Sequence, residues 1–306
     1  MRVRFWGVRG SIPCPGEKTW RYGGNSACIE LRIGEENRLI IIDAGSGIRE
    51  LGNHLLRHDL PKGPITGQIF LSHTHWDHIM GFPYFTPIYI PGSQLTVYGP
   101  VTFEDDPLEE VVGGQMKYRY FPVNMGELRS EIRYERLRET SELDLGDGLI
   151  VATKFLNHPV TTLGYRFQYG GKIFCTCYDT EPFRNLFITD PNHPDYDEAM
   201  ALEGEEVAAE QNAVVEEFFA GADLLVHDAQ YTEAEYRQNR VGWGHSSMEY
   251  AVAAAKRAGV KRMALFHHDP DRTDERFDEL SAEYGCKESA SDPDIFFARE
   301  GMIIEL

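Results

Sequence analysis

The sequence predicts an α/β fold in which two β-sheets pack face to face and helices lie outside them. Three observations lead to this prediction. Short segments rich in β-branched residues and broken by glycines dominate the first third of the chain, a second group of such segments follows position 149, and strands alternate with helices after position 205. Strands in both halves, with helices distributed among them, are typical of layered sheets covered by helices.

The individual elements are predicted from hydrophobic periodicity. Period-two alternation and short apolar runs predict strands at 2–7, 27–33, 38–43, 68–72, 149–155, 162–168, 172–176, 222–227 and 262–266. Helical spacing predicts helices after Ser46 and at 205–219, 246–258 and 273–284. Gly170-Gly171 would form a hairpin turn, and Ser246 would cap a helix.

Two long segments interrupt this pattern, at 100–138 and at 183–206. The first is mixed in charge and partly helical by its pattern, and the second is acidic and punctuated by prolines. Loops of this length inside a domain usually have a function. We therefore expect one domain spanning residues 1–306 with two insertions, the second resembling a lid.

Composition restricts the classes of partner. The chain has 306 residues, with 30 Lys and Arg against 49 Asp and Glu, and a formal net charge of −19. Such a surface repels polyanions at long range, so nucleic acid is not an expected partner. No apolar run reaches the roughly 18–20 residues of a membrane helix and no export signal is visible, so we expect no membrane contact and a cytoplasmic location.

The five cysteines show no framework spacing, which argues against a disulfide-stapled secreted protein. Cys175 and Cys177 lie inside an apolar run and are expected to be buried thiols.

The residues that carry chemistry are concentrated in one segment, Ser72-His73-Thr74-His75-Trp76-Asp77-His78, which follows an apolar strand. His73 and His75 are two positions apart and can point the same way, whereas Asp77 and His78 come from the next turn. Three of the eleven histidines fall within six positions, which is unusual for a surface turn. The segment therefore indicates a site that can hold two metals a few ångströms apart.

A dinuclear site needs further ligands, and candidates follow three later strands. His158, Asp179 and one of the pair His267-His268 each lie just past a predicted strand, where side chains collect at one edge of a sheet. Imidazole and carboxylate ligands suit zinc and equally manganese or iron. A water between two such cations loses its proton near neutral pH and becomes a nucleophile.

These motifs resemble those of the metallo-β-lactamase superfamily, whose signature His-x-His-x-Asp-His is met in full at positions 73–78. The resemblance runs from about Val3 to Ile304 and is greatest to the phosphodiesterase branch that includes RNase Z and the phosphoribosyl cyclic-phosphate phosphodiesterase. The residues that carry it are His158-Pro159-Val160, Leu163-Gly164-Tyr165, Asp179-Thr180, His227-Asp228-Ala229 and Gly244-His245-Ser246. It implies the four-layer αββα sandwich of the metallo-β-lactamase fold.

The resemblance also implies the metal ligands. One metal would be held by His73, His75, His158 and Asp179, and the other by Asp77, His78, Asp179 and His267. Asp179 would bridge the two, and His268 is the alternative to His267. Two divalent ions are the expected cofactors, Zn²⁺ first, with Mn²⁺ or Fe as alternatives.

Three residues are assigned to catalysis in the same way. Asp77 is counted as catalytic as well as a ligand. His245, supported by Asp228, would contact the scissile phosphate and protonate the leaving oxygen, work that suits a histidine near neutral pKa. Asp43 would orient a ligand histidine by a hydrogen bond.

The predicted function is a dinuclear metal-dependent hydrolase, in first place a phosphodiesterase acting on a small phosphodiester such as a cyclic nucleotide. RNase Z enzymes carry a long tRNA-binding arm between the third histidine and the bridging aspartate. Here the 21 positions from His158 to Asp179 hold two predicted strands and a turn. A thioester or lactone hydrolase, an RNase Z-like nuclease and a non-catalytic binding relative are the alternatives, and a homodimer stays open.

Two features near these motifs have two interpretations each. The glycine-rich segments 9–16 and 22–26 resemble the substrate-facing loop of the branch, but a simple hairpin would have the same composition. Trp20, Trp76 and Trp243 could stack on a base, or they could fill the core, where large aromatic residues usually pack.

Overall fold

Two β-sheets packed face to face form the centre of the molecule. The computed structural model describes residues 1–285, 289 and 292–306, so Cys286 lies outside the described residues. Within them, the strands in chain order are β1 Arg2–Gly7, β2 Cys28–Ile33, β3 Arg38–Ile42, β4 Thr66–Phe70, β5 Gln94–Pro100, β6 Glu131–Leu137, β7 Glu142–Asp144, β8 Ile150–Leu156, β9 Thr162–Tyr169, β10 Lys172–Cys177, β11 Leu224–Asp228, β12 Arg262–Phe266, β13 Asp294–Phe297 and β14 Ile303–Glu305. The α-helices are α1 Ile48–His58, α2 Trp76–Ile79, α3 Leu108–Gly113, α4 Glu198–Phe218, α5 Glu233–Asn239, α6 Met248–Arg257 and α7 Asp274–Tyr284.

The core between the sheets is built by one face of each strand, since successive side chains of a strand point to opposite faces. The first sheet has the strand order β14-β1-β2-β3-β4-β5-β6 and the second the order β13-β12-β11-β10-β9-β8-β7. Val3, Ile40 and Phe70 from the first sheet share one buried cluster with Phe167 and Phe266 from the second.

The outer faces of both sheets are also buried, and helices cover them. Ile41 of β3 packs in one cluster with Leu51 and Leu55 of α1. Leu265 of β12 packs in another with Phe277 of α7. Each fully buried leucine stabilises the fold by about 1.5–3 kcal/mol relative to exposure. The result is the predicted four-layer αββα sandwich.

Parallel pairing collects several strand ends at one edge of the sandwich. β3 pairs parallel with β4 in the first sheet, and β10, β11 and β12 pair parallel in the second. The residues after these strands therefore emerge side by side. The hairpin between β9 and β10 turns at Gly170-Gly171, with φ of +58° and +74°, as predicted for a tight two-residue turn.

The structure corrects the boundaries of both predicted insertions. Helix α4 begins at Glu198 rather than at position 205, because the Asp197 side chain caps it by accepting the Met200 N–H. Only 183–197 is left as a loop. Segment 100–138 contains α3 and also strand β6, which pairs parallel with β5. The alternation of charged and apolar residues from Glu131 to Glu135 is typical of a strand with one exposed face, but β6 was not among the predicted strands.

Several other elements were not predicted or lie one position away. Strands β7, β13 and β14 have three or four residues and helix α5 has seven, and neither these elements nor the seven-residue strand β5 were predicted from the sequence. The cap of α6 is Ser247, whose side chain accepts the Tyr250 N–H, and not Ser246. The Ser246 hydroxyl instead donates to the Thr180 carbonyl at 2.6 Å.

The described cysteines agree with the prediction of free thiols. Cys14, Cys28, Cys175 and Cys177 are unpaired, and the last three are buried. None of the helices in the described part of the chain is long and apolar enough to cross a membrane.

Tyr165 of β9 joins the two sheets beside the end of β4. Its ring is fully buried, and its hydroxyl donates to the Leu71 carbonyl at 2.6 Å. We predict that Tyr165→Phe lowers the free energy of unfolding by about 1–3 kcal/mol, because it leaves a buried carbonyl without a donor. Urea unfolding monitored by circular dichroism measures this change.

The matched control is Tyr134→Phe, since the Tyr134 hydroxyl is buried and has no hydrogen-bond partner among the described residues. That variant should be neutral or slightly stabilising. Equal effects of the two substitutions would contradict the role given to the Tyr165 hydroxyl.

Candidate metal centre

Three site residues lie one or two positions after a strand and share an unusual backbone conformation. Asp43 after β3, Asp179 two residues after β10, and His267 after β12 have φ values of +60°, +57° and +59°. Non-glycine residues in this left-handed region cost on the order of 1–3 kcal/mol each and cluster at functional sites. The conformation turns each side chain back towards the edge where the strands end.

One group of polar atoms comes from Asp77, His78, Asp179 and His267, all of them buried. The His78 and His267 Nε2 atoms are 3.4 Å apart. The Asp77 Oδ2 atom lies 3.2 Å from each of these nitrogens, and the Asp179 Oδ1 atom lies 3.3 and 3.2 Å from them.

A second group shares Asp179 with the first and adds His73, His75 and His158. The Asp179 Oδ2 atom lies 3.6 Å from His73 Nε2 and 3.8 Å from His158 Nε2. His158 Nε2 lies 3.2 Å from His75 Nδ1. The two oxygens of one carboxylate therefore face two different sets of imidazole nitrogens.

These donor sets fit divalent metal ions. A tetrahedral zinc site with bonds of about 2.0–2.1 Å has ligand atoms roughly 3.3–3.4 Å apart. The corresponding distances between donor atoms in the first group are 3.2–3.4 Å. His73 Nε2 and Asp179 Oδ1 are also buried without a hydrogen-bond partner in the described part of the chain. Buried polar atoms left unpaired are costly, and a cation between them would remove that cost.

Hydrogen bonds behind the histidines fix their orientation. The Asp43 Oδ2 atom accepts from His78 Nδ1 at 2.7 Å, which is the contact that the sequence predicted for Asp43. Asp43 also accepts from the Ser72 backbone at 2.7 Å and from its hydroxyl at 2.8 Å. Such partners hold the ring nitrogens of ligand histidines in place.

His158 is held by a backbone carbonyl and kept neutral by its surroundings. Its Nδ1 donates to the Gly244 carbonyl at 2.9 Å, which leaves Nε2 for the centre. Burial lowers the pKa of His158 to about 4, and burial also lowers the pKa of His73 well below its usual range. Neutral imidazole is the form that binds metals.

His245 lies beside both groups and contacts a buried carboxylate. Its Nδ1 is 2.8 Å from Asp228 Oδ2, and its ring stacks on that of His267 with centroids 4.9 Å apart. Burial by itself lowers the pKa of His245, but the carboxylates of Asp228, Asp179 and Asp77 together raise it to about 9, above the near-neutral pKa expected from the sequence. Asp228 is itself fixed by backbone N–H donors of Thr180 and Gln230.

The structure brings together all the site residues predicted from the sequence and distinguishes the two neighbouring histidines. His268 points away from the centre, and its Nε2 lies 2.8 Å from the Ala298 carbonyl. Position 10 of the glycine-rich loop has no room for a side chain, because a Cβ atom at this position would lie 2.2 Å from the His267 ring.

Three contacts of the centre were not predicted. Ser72 supports Asp43 and lies 3.0 Å from His73 Nδ1. The Ser11 N–H donates to Asp77 at 2.7 Å, and the Glu181 carboxylate holds the turn before His245. Two signals were available in the sequence. Ser72 precedes His73, and Ser11 lies in the glycine-rich segment 9–16. The contact of Glu181 with the turn before His245 had no such signal.

Trp20, Trp76 and Trp243 are exposed and do not fill the core. Trp76 and Trp243 are 77% and 54% exposed and lie next to or near site residues, and Trp20 is exposed as well. The Arg240 guanidinium covers one face of Trp243 at 4.4 Å. A cavity of about 360 Å³ opens beside His158, lined by Pro159, Phe183 and Leu186 among others.

Comparison with known proteins agrees with this geometry. The family model described as "Metallo-beta-lactamase superfamily" matches residues 21–165, and the model described as "Beta-lactamase superfamily domain" matches residues 206–268. Together they cover more than half of the chain.

Similar proteins and structures cover nearly all of it. Ribonuclease Z from Synechococcus sp. (strain CC9311) is 26% identical over 302 residues, which is 88% of this chain and 88% of that protein. The crystal structure of a diphosphatase from the PhnP family has a TM-score of 0.62 at 16% identity, covering 100% of this chain and 97% of that one. Human tRNase Z, short form, has a TM-score of 0.60 at 20% identity, covering 100% of this chain and 99% of that one.

The fold, the two groups of donor atoms and these similarities agree. The chain therefore has the metallo-β-lactamase fold, matches superfamily models in both of its halves, and is a metal-dependent hydrolase that resembles ribonuclease Z.

Proposed function

We propose that this protein is a dinuclear metal-dependent phosphodiesterase that hydrolyses a small phosphodiester, such as a cyclic nucleotide. The observation that carries the proposal is the pair His245-Asp228, with 2.8 Å between Nδ1 and Oδ2, placed beside two donor groups that share Asp179. The pair would supply a proton to a leaving oxygen, and the shared carboxylate suits two adjacent cations.

The residues proposed to hold the metals are those of the two donor groups. His73, His75 and His158 would bind one ion and Asp77, His78 and His267 the other, with Asp179 between them. Zn²⁺ is the proposed metal, since two carboxylates and five imidazoles suit it, and Mn²⁺ or Fe would also fit. When bound, such ions lower the pKa of water and neutralise phosphate charge.

His245 is proposed as the general acid. Its Nδ1 is occupied by Asp228, so Nε2 is the nitrogen that can release a proton to the leaving oxygen. Asp228 holds the ring in this tautomer and stabilises its charged form. A thioester or lactone hydrolase has less need of such a pair, because a thiolate leaves more readily without a proton. The pair therefore favours a phosphodiester.

Two features favour a small substrate. The 158–179 segment forms β9, β10 and their tight turn, which provides no arm for tRNA, and the net charge of −19 opposes a long polyanion. The second candidate is an RNase Z-like nuclease. It is favoured by the 26% identity to a ribonuclease Z over 88% of both chains.

The first prediction concerns metal content. Purified protein should contain about two transition-metal ions per chain, and Asp179→Ala or His73→Ala should remove metal and abolish hydrolysis of bis(p-nitrophenyl) phosphate. Asp179 faces imidazoles of both groups, so its loss should affect both sites. Elemental analysis by mass spectrometry measures the content.

Asp147→Ala is the control, because Asp147 is exposed and lies before the start of β8, whereas His158 follows the other end of that strand. It should keep both metals and full activity. A fully loaded and active Asp179→Ala protein would refute the bridging assignment.

The second prediction separates His245 from the ligands. His245→Ala should retain both metals and lose about 10²- to 10⁴-fold in rate, the usual contribution of a general acid. Metal analysis and steady-state kinetics on the same preparation test this. His193→Ala, at an exposed histidine in the 183–197 loop, should change neither quantity. Loss of metal in the His245 variant would make His245 a ligand instead.

The third prediction concerns substrate size. Bis(p-nitrophenyl) phosphate should be hydrolysed, whereas pre-tRNA should be cleaved poorly or not at all, because a polyanion must approach a surface of net charge −19. The two substrates are compared at equal metal loading and at two salt concentrations, since RNA binding weakens steeply with salt. Efficient site-specific cleavage of pre-tRNA would establish the nuclease. Activity confined to thioesters or lactones would overturn the phosphodiesterase proposal.

A further inference from the structure

Glu181 is a buried carboxylate with three hydrogen bonds and no positively charged partner within 4 Å among the described residues. Glu181 as a residue is 5% exposed. One oxygen accepts the Tyr236 hydroxyl at 2.6 Å and the Gly242 N–H at 2.7 Å. The other oxygen accepts the Gly244 N–H at 2.8 Å. These three donors replace the hydrogen bonds to water that a carboxylate loses on burial.

The donors belong to the turn that leads into His245. Gly242 and Gly244 have φ values of +86° and +83°, a backbone conformation that residues other than glycine rarely adopt. Successive backbone N–H groups in such a turn form a concave site for an anion. Gly244 also has no room for a side chain, because a Cβ atom would lie 2.4 Å from His158 Nδ1.

The same turn contacts both parts of the proposed site. The Gly244 carbonyl accepts from His158 Nδ1 at 2.9 Å, and the next residue along the chain is His245, which contacts Asp228. Thr180, the neighbour of Glu181, donates its N–H to Asp228 and accepts from the Ser246 hydroxyl. The segment from Asp179 to Glu181 therefore holds the turn from two sides.

We infer that Glu181 is a positioning residue: its carboxylate fixes the turn at 242–244 and, through that turn, the orientation of His158 and His245. The inference rests on the proposed function for the roles of these two histidines. The Glu181 side chain makes no hydrogen bond to either histidine within the described part of the chain, and it would not touch the reacting atoms of the substrate.

The test uses Glu181→Gln, which keeps the shape of the side chain and removes half of its accepting capacity. A glutamine amide presents an NH₂ group, a donor, to one side. Either the Gly244 N–H or the pair formed by the Gly242 N–H and the Tyr236 hydroxyl then faces another donor. The turn should loosen on that side.

Three measurements on the full chain follow this change. Hydrogen exchange of the amides at 242–245 should become at least several-fold faster. Zn²⁺ titration should show about 10- to 100-fold weaker binding of one ion, the usual effect of losing a partner behind a metal ligand. Hydrolysis is compared for the p-nitrophenyl and phenyl esters of thymidine 5′-phosphate, because phenolate depends more on a proton from His245. The phenyl ester should lose about ten-fold more in kcat than the p-nitrophenyl ester.

Glu30→Gln is the matched control. Glu30 is equally buried and accepts from Trp6 Nε1 at 2.8 Å and Arg32 Nε at 2.6 Å, none of which belongs to the site. It should lower thermal stability and leave exchange at 242–245, Zn²⁺ binding and the leaving-group ratio unchanged. If Glu181→Gln does not fold, Tyr236→Phe removes one of the three donors and should change the same measurements in the same direction, by less.

The outcomes separate this inference from the proposed function. Unchanged exchange and Zn²⁺ affinity in Glu181→Gln, or changes equal to those of Glu30→Gln, would overturn the positioning role. If the wild-type protein hydrolyses neither ester, the phosphodiesterase proposal fails, and exchange and Zn²⁺ affinity still decide the role of Glu181. If the two esters lose activity equally while Zn²⁺ binding weakens, the link from Glu181 to His245 is wrong.

Discussion

The carboxylate of Asp179 is the constraint on which the rest of the site depends. One oxygen faces His78 and His267 and the other faces His73 and His158, at 3.2–3.8 Å. These four imidazoles come from the edges of both sheets, so the sheets must align closely for one short side chain to reach them all. Asp179 achieves this with a left-handed backbone conformation, φ +57°, two residues past the end of β10. That conformation is costly, and the surrounding packing must hold it.

The frame that holds Asp179 consists of backbone and side-chain bonds between the sheets near their strand ends. Tyr165 donates to the Leu71 carbonyl, and the Leu163 N–H donates to the Ser72 carbonyl at 2.9 Å, so β9 is tied to the segment that carries His73. On the other side, the His268 N–H donates to the Val8 carbonyl at 2.9 Å. A site supported on strand ends in this way is more rigid than one built on loops alone, which suits geometry that tolerates little displacement.

The acidic exterior and the chemistry of the centre do not conflict. Remote surface charge is screened beyond roughly 8–10 Å at cellular salt, whereas the donor atoms of the centre lie within 4.8 Å of one another and are largely buried. The cations that these donors fit would set the local potential seen by a phosphate. The net charge of −19 acts instead on large polyanions during their approach. The net charge therefore acts at long range, and the buried donors act at short range.

The sequence by itself determined the types of residue at the site and the strands that carry them. Histidines and aspartates just past apolar runs, at spacings of two and five within 73–78, already indicated two metals and one shared edge, because strand periodicity and the residues that follow a strand are local properties of the chain. Only the tertiary structure decided features that depend on distant neighbours. His267 rather than His268 enters the centre because its backbone turns at φ +59°. Three tryptophans are exposed because the core is filled from both sheets. Glu181 acquires its role from a turn about sixty positions away, and no local pattern encodes such a contact.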